Sequence, residues 1–325
     1  MIAPQSFEEL ESESYVKIGQ EFEDLWCVLR KEKAKVDLFL SSQNPFKQNL
    51  RDRIAIGAIG VSLDGVERFF GERRADRVRY VLWENARRIS RGLLGGFDDH
   101  SRTILRSNRL WAPRYWEYPW AILSTQPRKG MQILDIGSGW SLFPMYLAKL
   151  GCRVTAVDTD VLQMTCISPF LSRLASARVH YRLGDATDLE LPENSFDRVF
   201  CISVLEHLEE ETRNGRPFNS HEKNLELIAI KEMLRVLKPR GLLAITVDWS
   251  EQPRDLRAYR FDDIMNRLVQ PFESYLVSDV KPTINWTTYW PRLVKLWEDR
   301  FPFDTLEDAL GEAGAAVGLL LRKPE

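Results

Sequence analysis

A chain of 325 residues with 44% hydrophobic residues and a net charge of −2 is long enough for one large or two modest domains and apolar enough for an ordinary buried core. It has no apolar run approaching the roughly 20 residues of a bilayer-spanning helix, and its first residues, Met1 to Glu9, lack the basic-then-apolar pattern of an export signal. Its four cysteines, Cys27, Cys152, Cys166 and Cys201, show no C-x-x-C spacing. The expectation is a cytoplasmic protein with reduced thiols and no membrane partner.

From Phe7 to about Leu40 the pattern is helical, with Tyr15, Ile18, Phe22, Leu25, Trp26 and Leu29 recurring at steps of three and four. Asn44-Pro45 ends it. Further helices are predicted over 50–70 and 75–90, the latter striped by Val78, Val81, Leu82 and Ile89 and interrupted by Gly92, Gly95 and Gly96. Residues 1–110 therefore read as an all-helical appendage that caps a crevice or mediates a homodimer, and 111–325 as a second domain. Residues 51–110 carry thirteen arginines, no lysine and eight acids. That imbalance fits either solvated helix faces paired with Glu72, Asp76 and Glu84 or a surface facing an anionic substrate such as a phosphate, a carboxylate or RNA. Between the two regions, Tyr115, Trp116, Tyr118 and Trp120 put four aromatics into six residues, a composition suited to packing.

The stretch Ile133-Leu134-Asp135-Ile136-Gly137-Ser138-Gly139 reads as a buried strand running into a glycine turn and then a helix from Leu142 to Leu150. Glycines at 137 and 139 allow a sharp turn close to a ligand, and the helix N-terminus offers backbone N–H groups. A dinucleotide fingerprint, G-x-G-x-x-G, requires glycine where this chain has Leu142. A second strand, Arg153 to Asp158, ends in a carboxylate 23 residues after Asp135, and a third, Val179 to Leu183, leads to Gly184-Asp185-Ala186. In an open parallel sheet these acids converge on one crevice at the carboxyl edge. They suit an adenosine with a cationic tail.

The chain resembles the class I S-adenosylmethionine-dependent methyltransferases, through LDIGSG at 134–139, VTAVD at 154–158, GDA at 184–186, FDRVFCISVLEHL at 196–208 and LRVLKPRGLLAIT at 234–246. The resemblance covers residues 114–250. It implies a Rossmann-like, doubly wound, seven-stranded, mostly parallel sheet and S-adenosylmethionine as cofactor. It further implies that Gly137 and Gly139 hold the methionine part, Asp158 the ribose, and Asp185 with Ala186 the adenine, with Asp135 and Ser138 also among the cofactor-binding residues. By the same analogy Arg114 pairs with the methionine carboxylate, the alternative being a surface pair with Glu117, and Ser203 contacts cofactor or acceptor.

A fourth strand, Phe196 to Ile202, opens at Ser203 to His207. His207 is a candidate base because an unperturbed imidazole titrates near 6.5; its alternative is an orienting or helix-starting residue. After a polar excursion, 209–223, and a helix to Leu237 that stops at Lys238-Pro239-Arg240-Gly241, a fifth strand, Leu242 to Val247, ends at Asp248, a second candidate base or a turn cap. Tyr259 to Val269 is predicted as a helix, Ser274 to Val277 as a sixth strand and Ala316 to Leu321 as a terminal one; the aromatic run 286–301 lines an acceptor pocket or packs on the appendage. The histidines, His100, His180, His207 and His221, show no metal spacing. No N/D-P-P-Y sequence and no Pro-Cys pair occurs, so modified DNA bases are poor candidate acceptors; nucleic acid is not the expected partner, RNA methylation being a minor version motivated by the arginine-rich segment. The reading is methyl transfer to a small molecule, oxygen slightly preferred, with an NAD-linked oxidoreductase and a non-catalytic binding module as alternatives.

Overall fold

A computed structural model describes residues 11–32, 35, 114–139, 141–161, 163–208, 225–249, 259–277 and 315–325. The expected helices over 50–70 and 75–90, the arginine-rich segment, the excursion 209–223 and the aromatic run 286–301 lie outside the described residues.

Among the described residues six strands form one sheet: β1 (Gln132–Ile136), β2 (Arg153–Asp158), β3 (Val179–Leu183), β4 (Phe196–Ile202), β5 (Leu237–Trp249) and β6 (Ala315–Arg322). Their order is β3-β2-β1-β4-β5-β6. The first five run parallel, and β6 returns antiparallel to β5. The strand order reverses between β1 and β4, so the two ends diverge around a crevice at their carboxyl edge. The mostly parallel, Rossmann-like α/β architecture agrees with the sequence, with six of the seven expected strands among the described residues. Ser274 to Val277, expected as the sixth of seven strands, instead lies at the end of a 3-10 turn, Gln270–Tyr275, begun at Pro271. It contributes one bridge, Leu276 to Leu321.

Successive residues of a strand face opposite sides, and β1 shows both sides filled. Ile133 joins a hydrophobic layer with α1 (Glu13–Lys31), α2 (Arg114–Thr125), α3 (Phe143–Lys149) and α4 (Ser168–Leu174). Leu134 and Ile136 join the opposite layer with α5 (Leu225–Val236) and the helical segment 261–275. A strand covered on both faces needs a near-continuous apolar run, which makes the buried Asp135 in its middle unusual.

The stripe predicted for α1 is its buried face. Phe22 is fully buried, with ring centroids 4.9 Å from Tyr118 of α2 and 4.2 Å from Tyr146 of α3. Burying a side chain of this size contributes about 1.5–3 kcal/mol. The described part of the 1–110 segment thus shares its core with the 111–325 segment.

α2 contains Pro119, which removes one backbone donor from its interior. Trp116 and Trp120, one turn apart and both buried, supply the compensating packing. Between α5 and β5 no loop intervenes. The pairing instead jumps from Phe196 with Leu237 to Arg198 with Leu242, so Lys238 to Gly241 bulge from the strand rather than merely ending the helix. Lys238 Nζ donates to Asp197 Oδ1 at 2.8 Å across that bulge.

Trp120 also sets a limit on β6. A Cβ placed on Gly318 would fall 2.6 Å from Trp120 Cζ2, closer than packed carbons approach. Gly318→Ala should therefore destabilise the fold by about 1–3 kcal/mol, read as a lowered urea midpoint with an unchanged slope; an unchanged midpoint contradicts this packing.

Candidate active site at the carboxyl edge of the sheet

The chain leaves β1 through Gly137, whose φ is +63°. A Cβ there would lie 2.3 Å from Val204 Cγ2, so the turn after β1 and the turn after β4 are in close contact. The backbone N–H groups of Gly137 and Ser138 both donate to Val157 O, at 2.8 and 3.2 Å. Gly139 N–H donates to Asp158 Oδ2 at 2.9 Å, and Asp160 N–H to Asp158 Oδ1 at 2.9 Å. Two backbone donors therefore orient the Asp158 carboxylate beside the glycine turn. α3 is only one to two turns long, and the N–H of its first residue, Phe143, is taken by Ser141 Oγ at 2.9 Å. Ser141 is held in turn by Tyr118 Oη at 3.0 Å.

Several buried polar atoms around this turn lack a hydrogen-bond partner among the described residues: Asp135 Oδ2, Ser138 Oγ and Gln163 Nε2. Burial, with Asp158 nearby, holds the Asp135 carboxyl well above the usual carboxylate range. Unsatisfied groups of this kind are costly, and a polar ligand seated on the turn would relieve that cost. Asp185 is organised differently. Its Oδ1 accepts from Thr187 N–H at 2.7 Å and from Thr187 Oγ1 at 2.6 Å, which fixes the turn after β3, and Ala186 is buried there.

At the ends of β4 and β5 the structure assembles a cluster the sequence did not announce. Ser203 has a φ of +50°, a strained region for a serine. It is held there by its N–H, shared between Thr246 O (3.0 Å) and Thr246 Oγ1 (3.2 Å). Its hydroxyl donates to Glu117 Oε1 at 2.7 Å, and Thr246 Oγ1 donates to the same oxygen at 2.6 Å. Arg114 Nη1 binds Glu117 Oε2 and, at 2.7 Å, Ser203 Oγ. Glu117 is fully buried. The Arg114–Glu117 pair is thus an internal clamp between α2 and the strand ends, not the surface pair weighed above. Burial opposes the Arg114 charge, but Glu117, assisted by Tyr118 and Asp248, outweighs it and raises the Arg114 pKa.

Asp248 stands at the end of β5 in the same cluster. Burial, and then Glu117, push its carboxyl up to about 7 against the pull of Arg114. Glu206, which sequence reasoning missed, is buried beside it, and neither of its oxygens has a partner among the described residues. Burial and the Asp248 charge hold its carboxyl well above the ordinary range. His207 is exposed, its N–H closing a short 3-10 turn onto Val204 O at 2.9 Å. The structure therefore brings Arg114, Ser203 and Asp248 together and leaves the imidazole on the outside of that turn. Besides Glu206, the sequence reading missed Glu117, Thr246 and Gln163. Among the described residues no group of three His, Cys, Asp or Glu is arranged to hold a metal ion, and no helix is long and apolar enough to cross a membrane.

Comparison with known proteins places this geometry. Residues 134–245 match the family described as a methyltransferase domain. Over 118 residues the chain is 30% identical to a ubiquinone biosynthesis O-methyltransferase of Xanthomonas oryzae pv. oryzae, covering 36% of this chain and 43% of that protein. Over 83 residues it is 36% identical to the mitochondrial ubiquinone biosynthesis O-methyltransferase of Schizosaccharomyces pombe, covering 25% of this chain and 30% of that one. The chain spans less than half the length of these curated relatives. Among solved structures, the [4+2]-cyclase SpnF aligns with a TM-score of 0.46 at 20% identity, over 64% of this chain and 79% of that one. A phosphoethanolamine N-methyltransferase of Haemonchus contortus in complex with S-adenosyl-L-methionine aligns with a TM-score of 0.42 at 18% identity, over 66% and 54%.

The raised Asp248 carboxyl makes stability depend on pH. An aspartate titrates at roughly 3.9 in the unfolded chain and here at about 7, so the folded state binds its proton more tightly. The associated stability is complete below the unfolded value and is lost as pH rises through the folded one. Asp248→Asn should melt with the wild type near pH 4 and a few degrees above it near pH 8. Scanning calorimetry across that range checks the sign, and a variant that melts lower at the alkaline end contradicts the assignment.

Proposed function

We propose that this chain, whose residues 134–245 match the methyltransferase-domain family, is a class I S-adenosylmethionine-dependent methyltransferase that transfers a methyl group to a hydroxyl of a small molecule. The observation that supports this best is the bond from Gly139 N–H to Asp158, which ties the carboxylate at the end of β2 to the turn at the end of β1. A carboxylate oxygen accommodates about two hydrogen bonds, so Asp158 suits the paired hydroxyls of a ribose. Asp135, Ser138 and Gln163, with their partnerless polar atoms, suit the charged amino-acid end of the same cofactor. Leu142, buried where a dinucleotide turn needs glycine, weighs against the NAD reading.

S-adenosylmethionine supplies a methyl group already activated by its sulfonium. The protein has to place an acceptor oxygen in line with the methyl–sulfur bond at about 3–3.5 Å and keep water out. Ser203, Glu117 and Thr246 fix the strand ends that form this wall, and Arg114 holds the second oxygen of Glu117. Asp248, with a carboxyl near 7, is suited to take the proton of a hydroxyl at neutral pH. A hydroxyl acceptor also agrees with the O-methyltransferase relatives. The acid-rich wall disfavours the anionic acceptor considered from the sequence, and the homodimer remains an expectation that rests on residues outside those described.

Calorimetry with S-adenosylmethionine and S-adenosylhomocysteine tests the reading directly, with one site per chain expected. Asp158→Ala should raise both dissociation constants at least ~10-fold, the scale of a hydrogen bond to a charged group, while the melting temperature moves by only a few degrees. NADH binding in place of the methyl donor, or an unchanged affinity in Asp158→Ala, contradicts it.

A further inference from the structure

We propose that Glu206 is an acceptor-binding residue: its carboxyl, buried after β4 beside Asp248 with neither oxygen engaged by the described protein, holds a neutral hydroxyl acceptor while Asp248 takes that hydroxyl's proton. The inference rests on the methyl-transfer reading and adds to it a residue and a substrate class.

Three observations converge on Glu206. It is only 5% exposed, and both oxygens lack a partner among the described residues. Its position is set by the contact of the preceding turn, at Val204, with Gly137 of the cofactor turn, so it lies where the two loops flanking the crevice meet. The charged and titratable groups around it are Asp248 from β5, Glu117 and Arg114 from α2, Cys201 from β4 and Tyr259. Among the described residues one cation, Arg114, thus faces several acids. A second buried acid in such surroundings keeps its proton while its neighbour ionises.

Protonated, Glu206 presents one O–H donor and one carbonyl acceptor. A hydroxyl, itself donor and acceptor, complements both. A phosphate or carboxylate would face the negative charge of Asp248 and Glu117, and an ammonium would leave the Glu206 O–H without an acceptor. The step balances. A lone pair of the acceptor oxygen forms the new O–C bond, the S–C pair returns to sulfur to give a neutral thioether, and the oxygen's proton passes to the Asp248 carboxylate.

The test compares wild type with Glu206→Gln, which keeps a neutral donor and acceptor, and Glu206→Leu, which keeps neither. S-adenosylhomocysteine affinity, measured by calorimetry, should stay within about threefold in both variants, because the residue faces the acceptor. With labelled S-adenosylmethionine, neutral phenols and catechols serve as acceptor probes, with hydroxybenzoates and phenols bearing an alkylammonium group as their charged counterparts. Neutral hydroxyl probes should be methylated in preference, with KM in Glu206→Gln within about threefold of wild type and in Glu206→Leu raised at least ~10-fold. Both variants should melt at or above the wild type, since they remove an acid the fold does not satisfy. A merely structural Glu206 would give the opposite, lower melting for both. Equal acceptor KM in Glu206→Leu, preference for charged probes, or a cofactor-binding protein that methylates no neutral hydroxyl would each overturn the inference while leaving the cofactor reading intact. Absence of any heat with S-adenosylhomocysteine would instead remove that reading, and this inference with it.

Discussion

The carboxylate of Glu117 is the point on which the carboxyl edge of the sheet depends. It gathers a partly exposed guanidinium from its own helix and buried hydroxyls from the ends of two neighbouring strands, and is itself fully buried. Removing one partner from such a buried network leaves a desolvated charge behind, a far larger loss than the net value of any one bond in it. This explains why a serine can be held at positive φ after β4. The strain is local, and it is overdetermined by bonds to Thr246 and Glu117.

The same network divides the acids of the site by environment. Glu117 is surrounded by donors, whereas Asp248 and Glu206 share a region with too few of them. Neighbouring carboxyls pushed toward different protonation states are a recurrent arrangement where a protein must both accept a proton and hold a neutral group. Asp135 is a third case, raised by burial beside the oriented Asp158, and it lies near the end of β1, next to the glycine turn.

Features set by local rules were legible in the chain. The glycine turn, the spacing of the acids after β1, β2 and β3, and the stripe of α1 follow from backbone freedom and periodicity, and the position of β4 beside β1 follows from the topology of open parallel sheets. What depended on distant partners was not. Arg114 and Glu117 are three residues apart on a helix and read as an ordinary solvated pair; only Ser203 and Thr246, far along the chain, make them internal. Pro119 concealed α2. Lys238 to Gly241 have the composition of a helix stop, yet the strand continues through them because Lys238 and Asp197 bridge the bulge. Ser274 to Val277 has strand-forming residues, but Pro271 commits the preceding turn to a tighter geometry. Glu206 was masked by its neighbour, since histidine draws attention at any strand end and a glutamate beside it looks like solvated surface.

The seat of Phe22 between Tyr118 and Tyr146 has a further meaning, strengthened by the bond from Tyr146 Oη to Glu21 at 2.6 Å. Through those rings α1 braces both the helix that carries the Glu117 clamp and the helix that follows the glycine turn. The two halves of the crevice are therefore keyed to one wedge from the beginning of the chain. A substitution that loosened this wedge would be felt as a change in how those two halves are set against each other.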